Sequence, residues 1–190
     1  MRKIIILQIL LAALVIGSYY FYRKADKNKW ESETVRAKAL KIEQKYENTK
    51  IPDSFFQLVE NAKEDTSNLI RTKLVFRFTE VTCGSCVTLS TRLLVNYAEK
   101  IGWNNIIFLA TNNDVEFLNR YKRVSRIKTK IYSISNNFFV IDDESLNTPY
   151  MFTIGPDSTI KNLFVSVKEN AFYTEQYLKN ISSIFQSGNN

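Results

Sequence analysis

Lys73-Leu74-Val75-Phe76-Arg77-Phe78-Thr79-Glu80-Val81-Thr82-Cys83-Gly84-Ser85-Cys86 is the stretch that decides the fold. Its opening, Lys73 to Phe78, is rich in β-branched and aromatic residues and predicts a buried strand. From Cys86 onward the apolar positions are Val87, Leu89, Leu93, Leu94, Tyr97, Ala98 and Ile101, a stripe at helical spacing that predicts one buried helical face. Gly102 follows at a plausible helix C′ position. Cys83 and Cys86, the only cysteines of the chain, therefore fall at a strand-to-helix junction.

That junction alters thiol chemistry. With Thr82 as N-cap, Cys83 would sit in the first helical turn, where free backbone N–H groups and the positive end of the helix dipole favour an anion. Cysteines so placed ionise at about pH 3.5–7.5 instead of about 8.5, so Cys83 is the expected nucleophile. Cys86 lies one turn on, on the same face, within reach of a disulfide and less exposed. A purely structural disulfide across so short a loop would stabilise little, because the stabilisation grows with loop length. A zinc site would need further soft ligands, and the chain has no histidine and no third cysteine; no metal is expected.

With a hydrophobic strand leading into Cys-X-X-Cys at the head of a long helix, a later Thr148-Pro149 and a hairpin directly after that proline, the chain resembles the thioredoxin superfamily over residues 70 to 187. It is most similar to the membrane-anchored bacterial thioredoxins of the TlpA-like type. The hairpin is Tyr150-Met151-Phe152-Thr153-Ile154, a turn at Gly155-Pro156-Asp157-Ser158, and Ile160 to Val165. The resemblance implies an α/β thioredoxin-like fold with a central mixed β-sheet flanked by helices. It also implies a cis-proline at Pro149 beside the redox pair, and pairing of the backbone before that proline with an extended substrate. Thr148 and Pro149 are accordingly the expected substrate-binding residues.

Two departures from the family stand in the motif itself. Thr82 occupies the position where tryptophan is usual, and Arg77 the position where thioredoxins commonly bury a carboxylate that accepts the proton of the resolving thiol. Glu80 is the candidate substitute for proton transfer, against the plainer reading of a solvated loop glutamate. Arg77 has two placements open to it, facing solvent or stabilising a nearby thiolate.

The remaining pattern fits an α/β layered domain. Asn105 to Ala110 reads as a second buried strand, followed by a helical stretch with Val115, Phe117, Leu118 and Tyr121. Ile131-Tyr132-Ser133-Ile134 is either an edge strand or an extended loop. A last amphipathic helix is expected from Phe172 to Phe185, with Tyr177, Leu178, Ile181, Ile184 and Phe185 on one side.

At the amino end, residues 1–24 read as a membrane anchor. The uncharged run Ile4 to Tyr22 would span about 28 Å as a helix at 1.5 Å per residue, close to a bilayer's roughly 30 Å hydrocarbon core. Tyr19 to Tyr22 lie where interfacial aromatics are expected. An uncleaved signal anchor is preferred, with Val15-Ile16-Gly17 a weak cleavage alternative. Arg2 and Lys3 on one side and Arg23, Lys24, Lys27 and Lys29 on the other leave orientation open by charge. The resemblance favours a single-pass inner-membrane protein with its domain on the periplasmic, extracytoplasmic side.

Residues 25–69 form a charged segment expected to be a helical spacer, broken at Ile51-Pro52-Asp53-Ser54, after which Phe55 to Val59 starts a short helix or strand packing on the domain. The net charge of +7 is densest over Lys122, Arg123, Arg126, Lys128 and Lys130, read as a solvated helix end, with anionic lipid or an acidic partner as the alternative. No nucleic-acid-binding motif is present, and no nucleic-acid partner is expected.

The expected function is a membrane-anchored thiol–disulfide oxidoreductase acting on protein thiols and disulfides, needing no bound cofactor and recycled by a membrane electron donor. The competing reading is a thioredoxin-fold binding or assembly module whose cysteines are incidental.

Overall fold

A computed structural model of the chain describes residues 2–60, 72–79, 84–111, 114–144, 148–155, 157–167 and 171–187, without the side chains of residues 2–13, 25–32, 60, 143 and 144. It divides into two units, Met1–Ala37 and Lys38–Asn190.

The first unit is helical. One long helix, α1 (Arg2–Tyr46), begins in it. Leu14, Val15, Ile16 and Tyr19 to Tyr22 leave their large apolar side chains exposed. Arg23 Nε donates to the Tyr19 hydroxyl at 3.0 Å, one turn back. Among the described residues no helix is long and apolar enough to cross a membrane; the side chains of Ile4 to Ala13, the first half of the expected anchor, lie outside the description.

The second unit is built on a five-stranded mixed sheet. Its elements are α2 (Asp53–Glu60), β1 (Leu74–Thr79), α3 (Gly84–Ile101), β2 (Ile106–Thr111), α4 (Val115–Val124), β3 (Ile131–Ser133), β4 (Tyr150–Ile154), β5 (Ile160–Val165) and α5 (Ala171–Ser187). Short 3-10 turns occupy Trp103–Asn105 and Val140–Glu144. The strand order is β3-β2-β1-β4-β5. β1, β2 and β3 run parallel, while β4 is antiparallel to both β1 and β5. This is the thioredoxin-like α/β layout implied by the resemblance, with the strand before the dithiol at the centre of the sheet.

Alternation along the strands splits the core in two. Leu74, Phe76 and Phe78 of β1, with Ile106, Phe108 and Ala110 of β2, face Val87, Leu94, Ala98 and Ile101 of α3, Leu118 of α4, and Leu178, Ile181 and Phe185 of α5. Val75, Ile107, Leu109, Tyr150 and Phe152 face the opposite way, onto the end of α1 (Ala39, Tyr46), α2 (Phe55, Val59) and the segment carrying Ile134, Phe139 and Ile141. Buried on both faces, β2 reads as a continuous apolar run and β1 as one interrupted by Arg77.

Several open readings are decided here. Ile131–Ser133 is an edge strand, and Phe55 to Val59 belongs to a helix. The last helix forms where expected, but Ile184 is 43% exposed, because its neighbours Ile181 and Phe185 already fill the face that meets the sheet. The charged segment after the expected anchor is more than a spacer: Ala39, Tyr46 and Ile51 are core residues, beside Phe55 and Val59 of the short helix expected to pack on the domain.

That segment also closes the exposed edge of β5. Asn48 N donates to Ile160 O, Ile160 N to Thr49 O, and Ile51 N to Ser158 O, at 2.8, 2.8 and 2.9 Å. Further along, side chains do the pairing: Glu47 accepts from Asn162 N (2.8 Å) and Leu163 N (3.0 Å), and Glu43 from Val165 N (2.8 Å). Asn162 sits at φ 51, inside the irregularity between Met151 and Thr153 of the facing strand. An edge strand with free donors invites pairing by another chain, and here these donors are occupied.

Candidate functional site

β1 and β2 are parallel, so their carboxyl ends lie at one edge of the sheet. Residues 80–83 lead from that edge into α3. Glu80, Thr82 and Cys83 lie outside the described residues, and so does the expected N-cap. The described helix opens at Gly84, the residue after Cys83, and its first turn holds Gly84, Ser85 and Cys86 with no acidic side chain. Gly84 and Ser85 are exposed and Cys86 is buried at 3%. The contrast within one turn is that of an accessible motif surface over a shielded second thiol.

Thr148 and Pro149 reach the same edge from the other side. The antiparallel register of β1 and β4 pairs Phe76 with Met151 and Arg77 with Tyr150. The ladder ends there, so Thr148 and Pro149, the two residues before β4, lie at the end of the sheet where β1 finishes. Pro149 is buried and its carbonyl accepts from Ser166 N at 2.9 Å. The Thr148 hydroxyl is buried and has no hydrogen-bond partner among the described residues. A buried hydroxyl without a partner is costly, and one at a site edge is poised to take a partner from outside.

The cis bond implied for Pro149 is not found: the described residues contain no cis peptide. An X–Pro bond prefers trans by only about 0.5–1 kcal/mol, so its isomer is set by the packing around it and not by the Thr-Pro sequence.

Of the two placements open to Arg77 in the sequence, facing solvent is not taken, and Cys83, the thiolate it would stabilise, lies outside the described residues. Arg77 is fully buried, the largest such side chain among the described residues, on the sheet face away from α3. Nη1 donates to Phe78 O at 2.5 Å and Nη2 to Thr111 Oγ1. Both acceptors lie at the carboxyl ends of their strands, so the guanidinium sits under the edge from which residues 80–83 depart. Asp142, from the 3-10 turn, completes an ion pair, with Oδ1 at 3.4 Å from Nε and Oδ2 at 3.4 Å from Nη2. The Nε contact is electrostatic, without hydrogen-bond alignment.

Asp142 is the site residue the sequence reading missed. It also accepts from the Tyr150 hydroxyl at 2.8 Å and from Phe139 N at 3.1 Å. Burial, reinforced by the Asp142 charge, pushes the Tyr150 phenol well above its usual value of 10.0, and the Arg77 charge opposes that only in part. The one available signal was Arg77 itself: an arginine in a strand buried on both faces needs a carboxylate, and only the fold says which.

On the α3 side, Thr91 Oγ1 and the Tyr121 hydroxyl lie 2.6 Å apart and tie α3 to α4. Burial raises the Tyr121 phenol, against its hydrogen bonds to Thr91 and Ser125. Phe117 stacks on Tyr121 with ring centroids 6.4 Å apart and planes 9° from parallel. Phe117 and Val115, one turn or more toward the start of α4, are exposed, adding apolar surface at the same edge.

No family model and no curated protein matches this chain. Among solved structures it is similar to a secreted disulfide oxidoreductase of Mycobacterium tuberculosis, with 11% identity and a TM-score of 0.45 over 62% of this chain and 87% of that one. It is also similar to a thiol:disulfide interchange protein of the thioredoxin family from Chlorobium tepidum, with 12% identity and a TM-score of 0.40 over 62% and 84%. A third is the bacterioferritin comigratory protein of Xanthomonas campestris, described for alkyl peroxide reduction, with 11% identity and a TM-score of 0.40 over 60% and 80%.

Proposed function

We propose that this chain is a membrane-anchored thiol–disulfide oxidoreductase working through Cys83 and Cys86. The observation that carries the reading is the Cys-X-X-Cys motif running from the carboxyl end of the central strand into the first turn of α3, with its second cysteine shielded. In the reducing direction the Cys83 thiolate attacks one sulfur of a substrate disulfide. That S–S bond breaks, a mixed disulfide forms, and the departing thiolate takes a proton. Cys86, deprotonated with Glu80 as the candidate acceptor, then attacks Cys83. The second substrate thiol leaves and the Cys83–Cys86 disulfide remains, two electrons having passed to the substrate. A membrane electron donor returns the pair to the dithiol. Run backwards, the same steps oxidise substrate dithiols.

Thr148 and Pro149 hold the substrate backbone in this reading, supported by their place just before β4, at the end of the sheet where β1 finishes, and by the Thr148 hydroxyl, buried with no hydrogen-bond partner among the described residues. The electrons reside in the cysteine pair, so no bound cofactor is needed. Anchoring through residues 1–24 in the inner membrane, with the domain in the periplasm, is supported by the apolar run Ile4 to Tyr22 and by the exposure of Leu14 to Ile16 and Tyr19 to Tyr22.

The test is to equilibrate the full chain in detergent against glutathione and dithiothreitol and to read the couple by alkylation and mass. A potential near about −270 mV makes it a reductant and one near about −120 mV an oxidant. A Cys86→Ser variant should hold substrates as mixed disulfides. Failure to cycle, with function intact in Cys83→Ser, would establish the binding-module reading instead.

A further inference from the structure

The Asp142 carboxylate is fully engaged. Phe139 N, the Tyr150 hydroxyl and the Arg77 guanidinium all point at it, and its own backbone N donates to Phe139 O at 2.9 Å. With Arg77 at 0%, Tyr150 at 2% and the Asp142 side chain at 5% exposure, this cluster is closed to solvent. It is a poor candidate for proton transfer, because no oxygen is left unoccupied and Arg77 lies across the sheet from α3. Its geometry does something else. Asp142 and Tyr150 bracket Thr148 and Pro149 in the chain, and the 2.8 Å hydrogen bond between them is locked to the central strand through Arg77. The Ser166 N bond to Pro149 O holds the same segment from the β5 side.

We propose that Arg77, Asp142 and Tyr150 are positioning residues that fix Thr148 and Pro149 at the end of the sheet where β1 finishes, and so set affinity for the polypeptide around a substrate disulfide without entering the sulfur chemistry. This rests on the oxidoreductase reading. It assigns Arg77 a role opposite to that of a buried base: it roots the substrate-binding strand end and leaves the thiols to the loop and helix above.

The experiment is Tyr150→Phe in the full chain in detergent, which removes one hydroxyl and keeps the ring against Phe152. Asp142→Asn serves as a second variant of graded severity. Three quantities are read: amide hydrogen exchange at Thr148 and Tyr150, KM and kcat for insulin as an oxidised polypeptide, and the rate with the small disulfide dithiobis(nitrobenzoate) together with the redox potential. The expected result is faster exchange and a KM for insulin raised about tenfold, the size of one hydrogen bond to a charged group, with kcat, small-disulfide rate and potential unchanged. Unchanged KM with faster exchange, or a shifted potential, overturns the positioning role. Should the wild-type chain neither reduce these disulfides nor oxidise a dithiol peptide, the oxidoreductase reading has failed, and exchange alone then judges the cluster: no acceleration in Tyr150→Phe overturns the pin, acceleration upholds it.

Discussion

Arg77 and Tyr150 face each other across the β1–β4 ladder and both reach the carboxylate of Asp142, which comes from neither strand. The arrangement puts an ion pair inside a sheet face otherwise made of valine, leucine, isoleucine and aromatic side chains. A buried pair contributes little net stability by itself, but each member strands the other when removed.

Arg77→Met should therefore destabilise the full chain by about 3–5 kcal/mol in denaturant unfolding, since it leaves Asp142 charged and buried. Arg77→Met combined with Asp142→Leu should recover most of that loss. A double variant as unstable as the sum of both singles would show that the two side chains act independently.

Glu47→Ala should cost about 1.5–3 kcal/mol, because the carboxylate takes two backbone donors of β5, Asn162 N and Leu163 N. The local signature is faster amide exchange at these two residues than at β1. Equal protection in variant and wild type would mean that water replaces the glutamate without loss.

Alkaline pH should unfold the domain through its tyrosines. Burial raises Tyr150 and Tyr177 well above 10.0, the latter helped by the charges of Glu43 and Glu47. The folded state holds these protons more tightly than the unfolded one, so the stability they contribute is complete below about pH 10 and is lost as pH climbs from there toward their folded values. Tyrosinate absorbance against pH should show these two ionising only as the fold is lost. Tyr150→Phe should reduce the steepness of the alkaline transition.

Leu94→Ala should cost about 2–5 kcal/mol, since Leu94 is fully buried between α3 and the sheet. Ile184→Ala on α5, 43% exposed, should stay within about 0.5 kcal/mol. Thermal unfolding of the two variants side by side tests the assignment of the helical faces; similar losses would mean that Ile184 is covered.

What the chain determines locally is legible without a structure. β1 and β2 announce themselves as apolar runs, β1 interrupted only by Arg77 before its last two residues, and α3 by a stripe that recurs with the helical period. The dithiol is located by the junction between them, because the change of hydrophobic period and the cysteine spacing are both properties of neighbouring residues. The tertiary structure decided what depends on groups distant in sequence. Ile131 to Ser133 is a strand because β2 is there to pair with it. The residues read as a spacer are core because β5 presents an open edge and an apolar face to cover. Arg77 is buried because Asp142, 65 residues away, arrives to meet it. A period can be read along the chain, whereas the partner of a buried charge or of a free strand edge is chosen only when the sheet has closed and water has been removed from around it.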